Sequence, residues 1–290
     1  MQRACRYWGI SRQAHYASLH RERQQQAQAD GVVSAVQDLR RRQPRLGTRK
    51  LHHLLSPQWQ ASGMGLGRDA LFDLLRQRRL LVPPRRAYHK TTDSHHHFRR
   101  HPNLLKGGAD QVIAKAAEQV WVADITYLPT ADHRKPAYLS LVTDAYSRKI
   151  VGWQVHETLQ AEGVGRALKQ ALKGRQTQQT LVHHSDRGVQ YCSEQVQQLH
   201  RKHGLTCSMT DGYDCYQNAL AERVNGILKG ELLLHRPANL EEARKMVSES
   251  VTIYNGERPH LSLQMKTPDA VHQASLAKLL NPNVHLTVST

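Results

Sequence analysis

The hydrophobic pattern changes period at Val120, and that change restricts the chain to a helical front part followed by a layered α/β part. Before it, apolar residues recur three and four apart, as they do along one helix face: Val32, Val33, Val36 and Leu39, then Leu51, Leu54 and Leu55, then Leu71, Leu74 and Leu75. After it, Trp121–Leu128 (WVADITYL), Ala137–Thr143 (AYLSLVT) and Lys149–Val155 (KIVGWQV) alternate with the period of a strand. Short connections make these three an antiparallel meander.

The front part predicts several short helices. Ala4–Trp8 and Ser11–Leu19 flank Gly9, with Ser11 placed to cap the second helix. Residues 1–20 thus have the outline of a partial helix-turn-helix, an outline that ordinary helical hairpins share. A Gln-rich stretch (Gln24, Gln25, Gln26, Gln28) leads to residues 30–83, predicted as a helical DNA-binding domain. Its first helix ends near Gln43-Pro44, its second opens at Gly47-Thr48, and its third follows Gly63, Gly65 and Gly67 and stops at Pro83-Pro84. The third helix turns Arg68, Arg76, Arg78 and Arg79 outward, and the second carries Arg49 and Lys50 in its opening turn. Two short apolar-striped helices joined by a loop, the second studded with arginine, suit a major-groove reader with phosphate contacts, or a bundle with a solvated arginine face.

Charge bears on that choice. Residues 1–110 hold 21 of the 41 Lys and Arg but only 7 of the 24 Asp and Glu, a net of +14 against +3 for the remainder. A front end this basic calls for a polyanion, nucleic acid being the commonest, although it also serves as a solubilising surface. A membrane partner finds no support, because the longest apolar run is Val120–Ala123, far below the roughly 20 residues a bilayer needs. The chain is therefore expected in the cytoplasm, near DNA. Cys5, Cys192, Cys207 and Cys215 show no C-x-x-C spacing and read as reduced thiols. Residues 84–117 read as a basic linker; adjacent side chains in its His95–His97 run do not converge on one ion.

Beyond the meander, a helix over Ala161–Lys173, a strand Thr180–His183 running out at Ser185-Asp186, a helix Ser193–His203 and a strand Leu205–Ser208 follow. A long helix over Asn218–Leu234, another over Leu240–Tyr254, and a loose end complete the chain. The order β-β-β-α-β-α-β-α defines an α/β fold, a mixed five-stranded sheet flanked by helices on the ribonuclease-H-like plan. Its expected span is 118–272, with 273–290 as a tail. On that plan Asp124, midway along the first strand, and Asp186, just past the fourth, reach the same edge of the sheet, and Glu222 lies one turn into the long helix. Three hard oxygen ligands suit Mg²⁺ or Mn²⁺ and leave positions open for phosphate and water.

Asp186 and Glu222 are separated by 35 residues, within HSDRGVQY and QNALAERVNGILKGEL. Here the chain resembles the retroviral-integrase-like DDE transposases, and among them the bacterial insertion-sequence group whose transposase is made from two overlapping reading frames. WVADITYL, YLSLVTDAYSRKIVGW, SMTDGYDCYQNALAERVNGILKGEL and YNGERPH carry the likeness, joined upstream by CRYWGISRQAHY, RRRQPRLGTRKLHHLL and KTTDSHHHFRRHPNLL. The loop DGYDCYQN departs from the basic, Gly- and Asn-rich form more frequent in the family.

The resemblance implies that Asp124, Asp186 and Glu222 are the catalytic, metal-binding triad for two divalent ions. It implies that Lys229, seven residues after Glu222, grips a DNA phosphate, though an ordinary exposed lysine fits the same spacing. Arg187 and Gly188 form a tight turn beside Asp186, with Arg187 near DNA. Ser185 either bonds a carboxylate or caps the turn, and Asn218 is the N-cap of the Glu222 helix, with Gln217 before it. Asp144 sits in a turn where Asp is expected on conformational grounds. Tyr254, Asn255, Arg258 and His260 are either packed polar groups at a helix end or contacts close to the site. The implied activity is strand cleavage and strand transfer at insertion-sequence ends, by a homo-oligomer on double-stranded DNA, with a first-frame helix-turn-helix and zipper product as partner. A hydrolytic nuclease on the same fold and a DNA-binding repressor are the rivals.

Overall fold

The computed structural model describes residues 2–83, 101–108, 111–132, 136–211 and 218–280. His95–His97, Asp214, Cys215 and Gln217 lie outside them. The chain divides into two compact units, Met1–Pro84 and Arg85–Thr290.

In the first unit, helix α1 (Gln2–Tyr7) ends before Gly9, whose φ of +63° turns the chain, and α2 (Arg12–Arg42) begins after Ser11. The Ser11 hydroxyl accepts from the amide of Ala14 at 3.0 Å, the cap expected of it. The expected end at Leu19 does not occur. Helix α2 runs 31 residues through the Gln-rich stretch, because glutamine is a good helix former and nothing between residues 20 and 30 breaks the ladder. Helices α3 (Thr48–Ala61) and α4 (Arg68–Gln77) follow. Val32, Val36, Leu46, Leu51, Leu55, Trp59, Leu71 and Leu75 form one buried cluster among the three. Helix α4 stops well short of Pro83, where Arg79 takes a left-handed φ of +55°.

The second unit is built on a five-stranded sheet in the order β3-β2-β1-β4-β5. Strands β1 (Val120–Leu128), β2 (Ala137–Asp144) and β3 (Ile150–His156) form the expected meander, and β4 (Leu181–Ser185) and β5 (Leu205–Met209) join it in parallel. Helices α5 (Ala161–Gly174) and α6 (Glu194–His203) cover one face, over a core that includes Trp121, Ala123, Ile125, Leu168 and Leu199. The other face carries α7 (Ala219–Ile227) and α8 (Leu240–Gly256), over Leu139, Leu141, Val224, Val247 and Val251. Because side chains alternate along a strand, Val120, Val122, Asp124 and Thr126 all belong to the α7 face.

Three expectations are corrected. Residues 101–108 and 111–117, read by composition as linker, are part of the second unit: Leu104, Leu105, Val112 and Ala114 pack on Val120, Val122 and Val182. Pro102 accepts from the Met209 amide and the Ser208 hydroxyl accepts from the Leu104 amide, so this stretch lies along β5. The stretch after α8 is not loose as far as Leu280, since α9 spans Pro268–Leu280 and buries His272, Ser275 and Leu276. The long helix expected over Asn218–Leu234 ends at Ile227 and continues as a π-helical turn over Leu228–Leu232.

Helix α5 approaches β3 closely at Gly152. A Cβ there would land on the Ala167 carbonyl oxygen and lie 2.9 Å from the Ala171 Cβ, so backbone would have to move. Gly152→Ala is therefore expected to destabilise the second unit by about 1–3 kcal/mol, the usual cost of overpacking, read as a lower thermal midpoint than wild type.

Candidate active site

Strand β1 is paired with β4 in parallel, Val122 opposite His184, which places Asp186 beyond the end of β4 on the level of Asp124. Asp186 holds its own loop. Its Oδ1 accepts from the Gly188 amide at 3.0 Å, and the Tyr191 amide donates to the Gly188 carbonyl at 3.0 Å. A Cβ on Gly188 would come within 3.0 Å of that same Oδ1, so only glycine leaves the carboxylate this close to the turn. Ser185 neither bonds a carboxylate nor faces solvent: its buried hydroxyl donates to the Asp186 carbonyl.

Helix α7 is fastened to β1 by two buried asparagines. Asn218 occupies the N-cap position but makes no capping bond; its Nδ2 donates to the Ala123 carbonyl at 3.1 Å. Asn225 Nδ2 donates to Asp124 Oδ2 at 2.7 Å. Asn225 is three residues after Glu222 and so shares its side of the helix, the spacing that would have marked it in the sequence. Lys229 is not an exposed lysine. It is 7% exposed, and its Nζ donates at 2.8 Å to Thr126 Oγ1, two residues from Asp124 on the same strand face.

The charges confirm that these groups feel one another. Burial, then Asp186, then Glu222 raise the Asp124 carboxyl to about 8, against the opposing hydrogen bonds from Asn225 and the Ile125 amide. Burial and Asp186 also raise Glu222, which is exposed at the start of α7. Tyr191 is pushed well above the usual phenol range by burial and then by Asp186 and Asp124. Asp124, Asp186 and Glu222 thus lie in mutual electrostatic range, although among the described residues no group of three or more His, Cys, Asp or Glu side chains is spaced to hold a metal ion. Burial is the larger cause of both raised carboxyls, and repulsion between the acids adds to it. The donor set fits a hard divalent cation: carboxylate oxygens only, with the buried Asn225 Oδ1 and Tyr191 hydroxyl making no hydrogen bond in their surroundings.

Asp144 is not part of this constellation. It ends β2 opposite Trp121, fully buried, and accepts from the Glu118 and Ser147 amides and the Ser147 hydroxyl. Tyr254, Asn255, Arg258 and His260 are buried or nearly so, and all four make internal contacts. In the first unit Arg68, Arg76 and Arg78 are exposed but paired with Asp69, Asp73 and Asp30, at 2.9, 2.5 and 2.7 Å. Arg49 is exposed in the first turn of α3, with the half-buried Lys50 beside it. Arg187 is half-buried in the turn after Asp186.

Sheet order, helix placement and the carboxylates at one sheet edge define a ribonuclease-H-like polynucleotidyl transferase core. Integrase core domain models match residues 114–215 and 203–268. The insertion element IS600 uncharacterized 31 kDa protein of Shigella sonnei is 35% identical over 93% of this chain and 97% of its own length. The transposase for insertion sequence element IS629, also of Shigella sonnei, is 34% identical over 60% of this chain, which spans 58% of it. Among solved structures, the HTLV-2 integrase catalytic core domain in complex with magnesium aligns at 18% identity and a TM-score of 0.45, covering 55% of this chain and 99% of that one. The chain belongs to the integrase-core family of insertion-element transposases, whose chemistry depends on divalent metal.

The raised Asp124 makes a prediction that needs no activity. A carboxyl at about 8 in the fold, against an ordinary 3.8, contributes stability that is complete below the ordinary value and is lost as pH rises through about 8. In EDTA, Asp124→Asn is expected to flatten the fall in thermal midpoint between pH 5 and pH 9 and to raise the pH 9 midpoint by about 2–4 °C, corresponding to about 1 kcal/mol. Parallel profiles for the two proteins would contradict it.

Proposed function

We propose that this chain is a transposase that cleaves and joins DNA at the ends of an insertion sequence, with Asp124, Asp186 and Glu222 as its catalytic carboxylates. The observation that carries this reading is the electrostatic coupling of three acids from β1, the β4 end and α7, far apart in sequence. Two Mg²⁺ or Mn²⁺ ions on those carboxylates would supply charge neutralisation at the scissile phosphate. Asn225 orients Asp124, Gly188 lets Asp186 reach its turn, and Lys229 leaves Thr126 to take a phosphate oxygen of the bound end.

The reaction conserves phosphodiester bonds at its second step. Water first breaks the bond at the element end and leaves a 3′-hydroxyl. That hydroxyl, giving up its proton, attacks a second phosphate in line, and the displaced strand departs as a 3′-hydroxyl. No covalent link to the protein forms. The basic first unit holds the ends, with Arg49, Lys50, Arg68, Arg76, Arg78 and Arg79 as phosphate contacts, and Arg187 of the second unit is a further one. Exposed ion pairs add little stability, so Asp69, Asp73 and Asp30 yield their arginines to phosphate at small cost. The acting species is a homo-oligomer on DNA, joined to or paired with a first-frame product carrying the rest of the helix-turn-helix and a zipper, and the route passes through a circular intermediate.

Asp124→Asn, Asp186→Asn and Glu222→Gln are each expected to remove strand transfer while leaving end binding within about twofold, since the first unit supplies most of the contacts. Normal joining by any one of them ends the assignment. Released ends without joined products would instead identify a nuclease, and end binding with neither product a repressor. Replacing Arg68, Arg76, Arg78 and Arg79 together by Ala should lower the slope of log affinity against log salt by about 0.9 for each arginine that contacts a phosphate. An unchanged slope removes α4 from the interface.

A further inference from the structure

The segment YNGERPH is far from Asp124 in sequence and touches none of the three carboxylates in any contact described above, yet it is tied to the element that carries Lys229. Asn255 makes two bonds to the start of β3, accepting from the Ile150 amide and donating to the Ile150 carbonyl, both at 2.9 Å. Tyr254 donates its hydroxyl to the Arg148 carbonyl at 3.0 Å. These bonds fix the end of α8 to the sheet.

From that fixed point Arg258 reaches across to the turn that follows α7. Its Nε and Nη2 donate to the two carboxylate oxygens of Glu231 at 2.8 and 2.7 Å, a side-on bidentate pair, and its guanidinium is only 5% exposed. The same guanidinium meets His260 Nε2 at 3.0 Å through Nη1, and the His260 ring stands edge-on to Tyr254 with centroids 5.0 Å apart. Every named residue of the motif is used in this arrangement.

Glu231 lies in the π-helical turn Leu228–Leu232, closed by the Leu233 amide donating to the Leu228 carbonyl five residues back at 2.8 Å. A π turn is unfavourable against the α-helix it interrupts and persists where something outside the helix holds it. Lys229 sits in this same turn, two residues before Glu231, and reaches Thr126 beside Asp124.

We infer that Tyr254–His260 is a brace that holds the π turn open, so that Arg258 and Glu231 are positioning residues acting through Lys229. This rests on the reading of Lys229 as a contact to the reacting DNA. A brace of this kind fixes where the ammonium can go when it leaves Thr126. Lysine at 258 keeps the charge and loses the fork, so it tests the geometry rather than the charge.

The test is a double-mutant cycle on strand transfer by the full chain at saturating end DNA, with Mn²⁺ as the metal and thermal midpoints measured on the same four proteins. Lys229→Ala alone is expected to slow joining, and Arg258→Lys alone to slow it on the order of tenfold, as loss of an oriented group does. In the Lys229→Ala background Arg258→Lys should cost less than about twofold, because the residue it positions is gone. Equal losses in both backgrounds would show that Arg258 merely supports the fold, and no loss in either would leave nothing to position; both overturn the inference. Full joining by Lys229→Ala would overturn the reading of Lys229 itself, and the brace with it. Should Arg258→Lys fail to fold, Glu231→Gln takes its place in the same cycle with the same criteria.

Discussion

The parallel pairing of β1 with β4 is the constraint on which the site depends. In a parallel pair both strands advance together, so residues equally far beyond a paired position stay level. Running the same way, with Val122 opposite His184, β1 and β4 bring Asp124 and Asp186 level across one inter-strand gap. The connection that permits this is the α5 crossover, and Gly152 is the point where α5 comes close enough to the sheet to make it compact. Helix α7 then has one position open to it, on the face where Val120, Val122, Asp124 and Thr126 point.

That position is costly in charge and inexpensive in everything else. Val224 and Leu228 bury apolar surface against Leu139 and Leu141, while Asn218, Asn225 and Lys229 each bond β1 or a side chain on it. The helix brings Glu222 toward two other acids, and their repulsion adds to the cost of burying Asp124. A fold that brings like charges together gives up local stability there, as functional sites often do. The raised Asp124 measures that cost in the resting protein.

Most of the sheet was legible because alternation is a strong signal when one face of each strand is buried, and because Asp124 breaks an otherwise apolar face in WVADITYL. Less visible were features that depend on what helices meet. Leu228, Lys229 and Leu232 are good α-helix formers, so nothing local announces a π turn there; it follows from Arg258, 27 residues away, gripping Glu231. The Gln-rich stretch lacks an apolar stripe to mark it as helix, yet the helix propensity of glutamine carries α2 through it. Helix α9 had its signature in plain view, Thr267, Pro268 and Asp269 at a helix start, with the Thr267 hydroxyl accepting from Ala270. The role of residues 101–108 and 111–117 was hidden by composition, since the short apolar runs at Leu104-Leu105 and Val112–Ala114 have no strand or helix period and gain meaning only against β1 and β4.

The same comparison separates two kinds of motif. HSDRGVQY serves the site directly, through a carboxylate, the glycine that admits it and a tyrosine close behind. YNGERPH has none of that proximity, yet its polar groups are as fully bonded as those of a hydrophobic core are packed, and the bonds lead to the turn holding Lys229. A buried bidentate Arg–Glu pair seldom adds net stability, because desolvating the two charges offsets most of what the pairing returns. Where such a pair bridges two elements, what it does supply is a fixed geometry, since neither charge can be left without the other. In this fold the geometry so fixed is that of the turn carrying Lys229 beside β1, and under the proposed function the YNGERPH motif serves the site by mechanics rather than by contact.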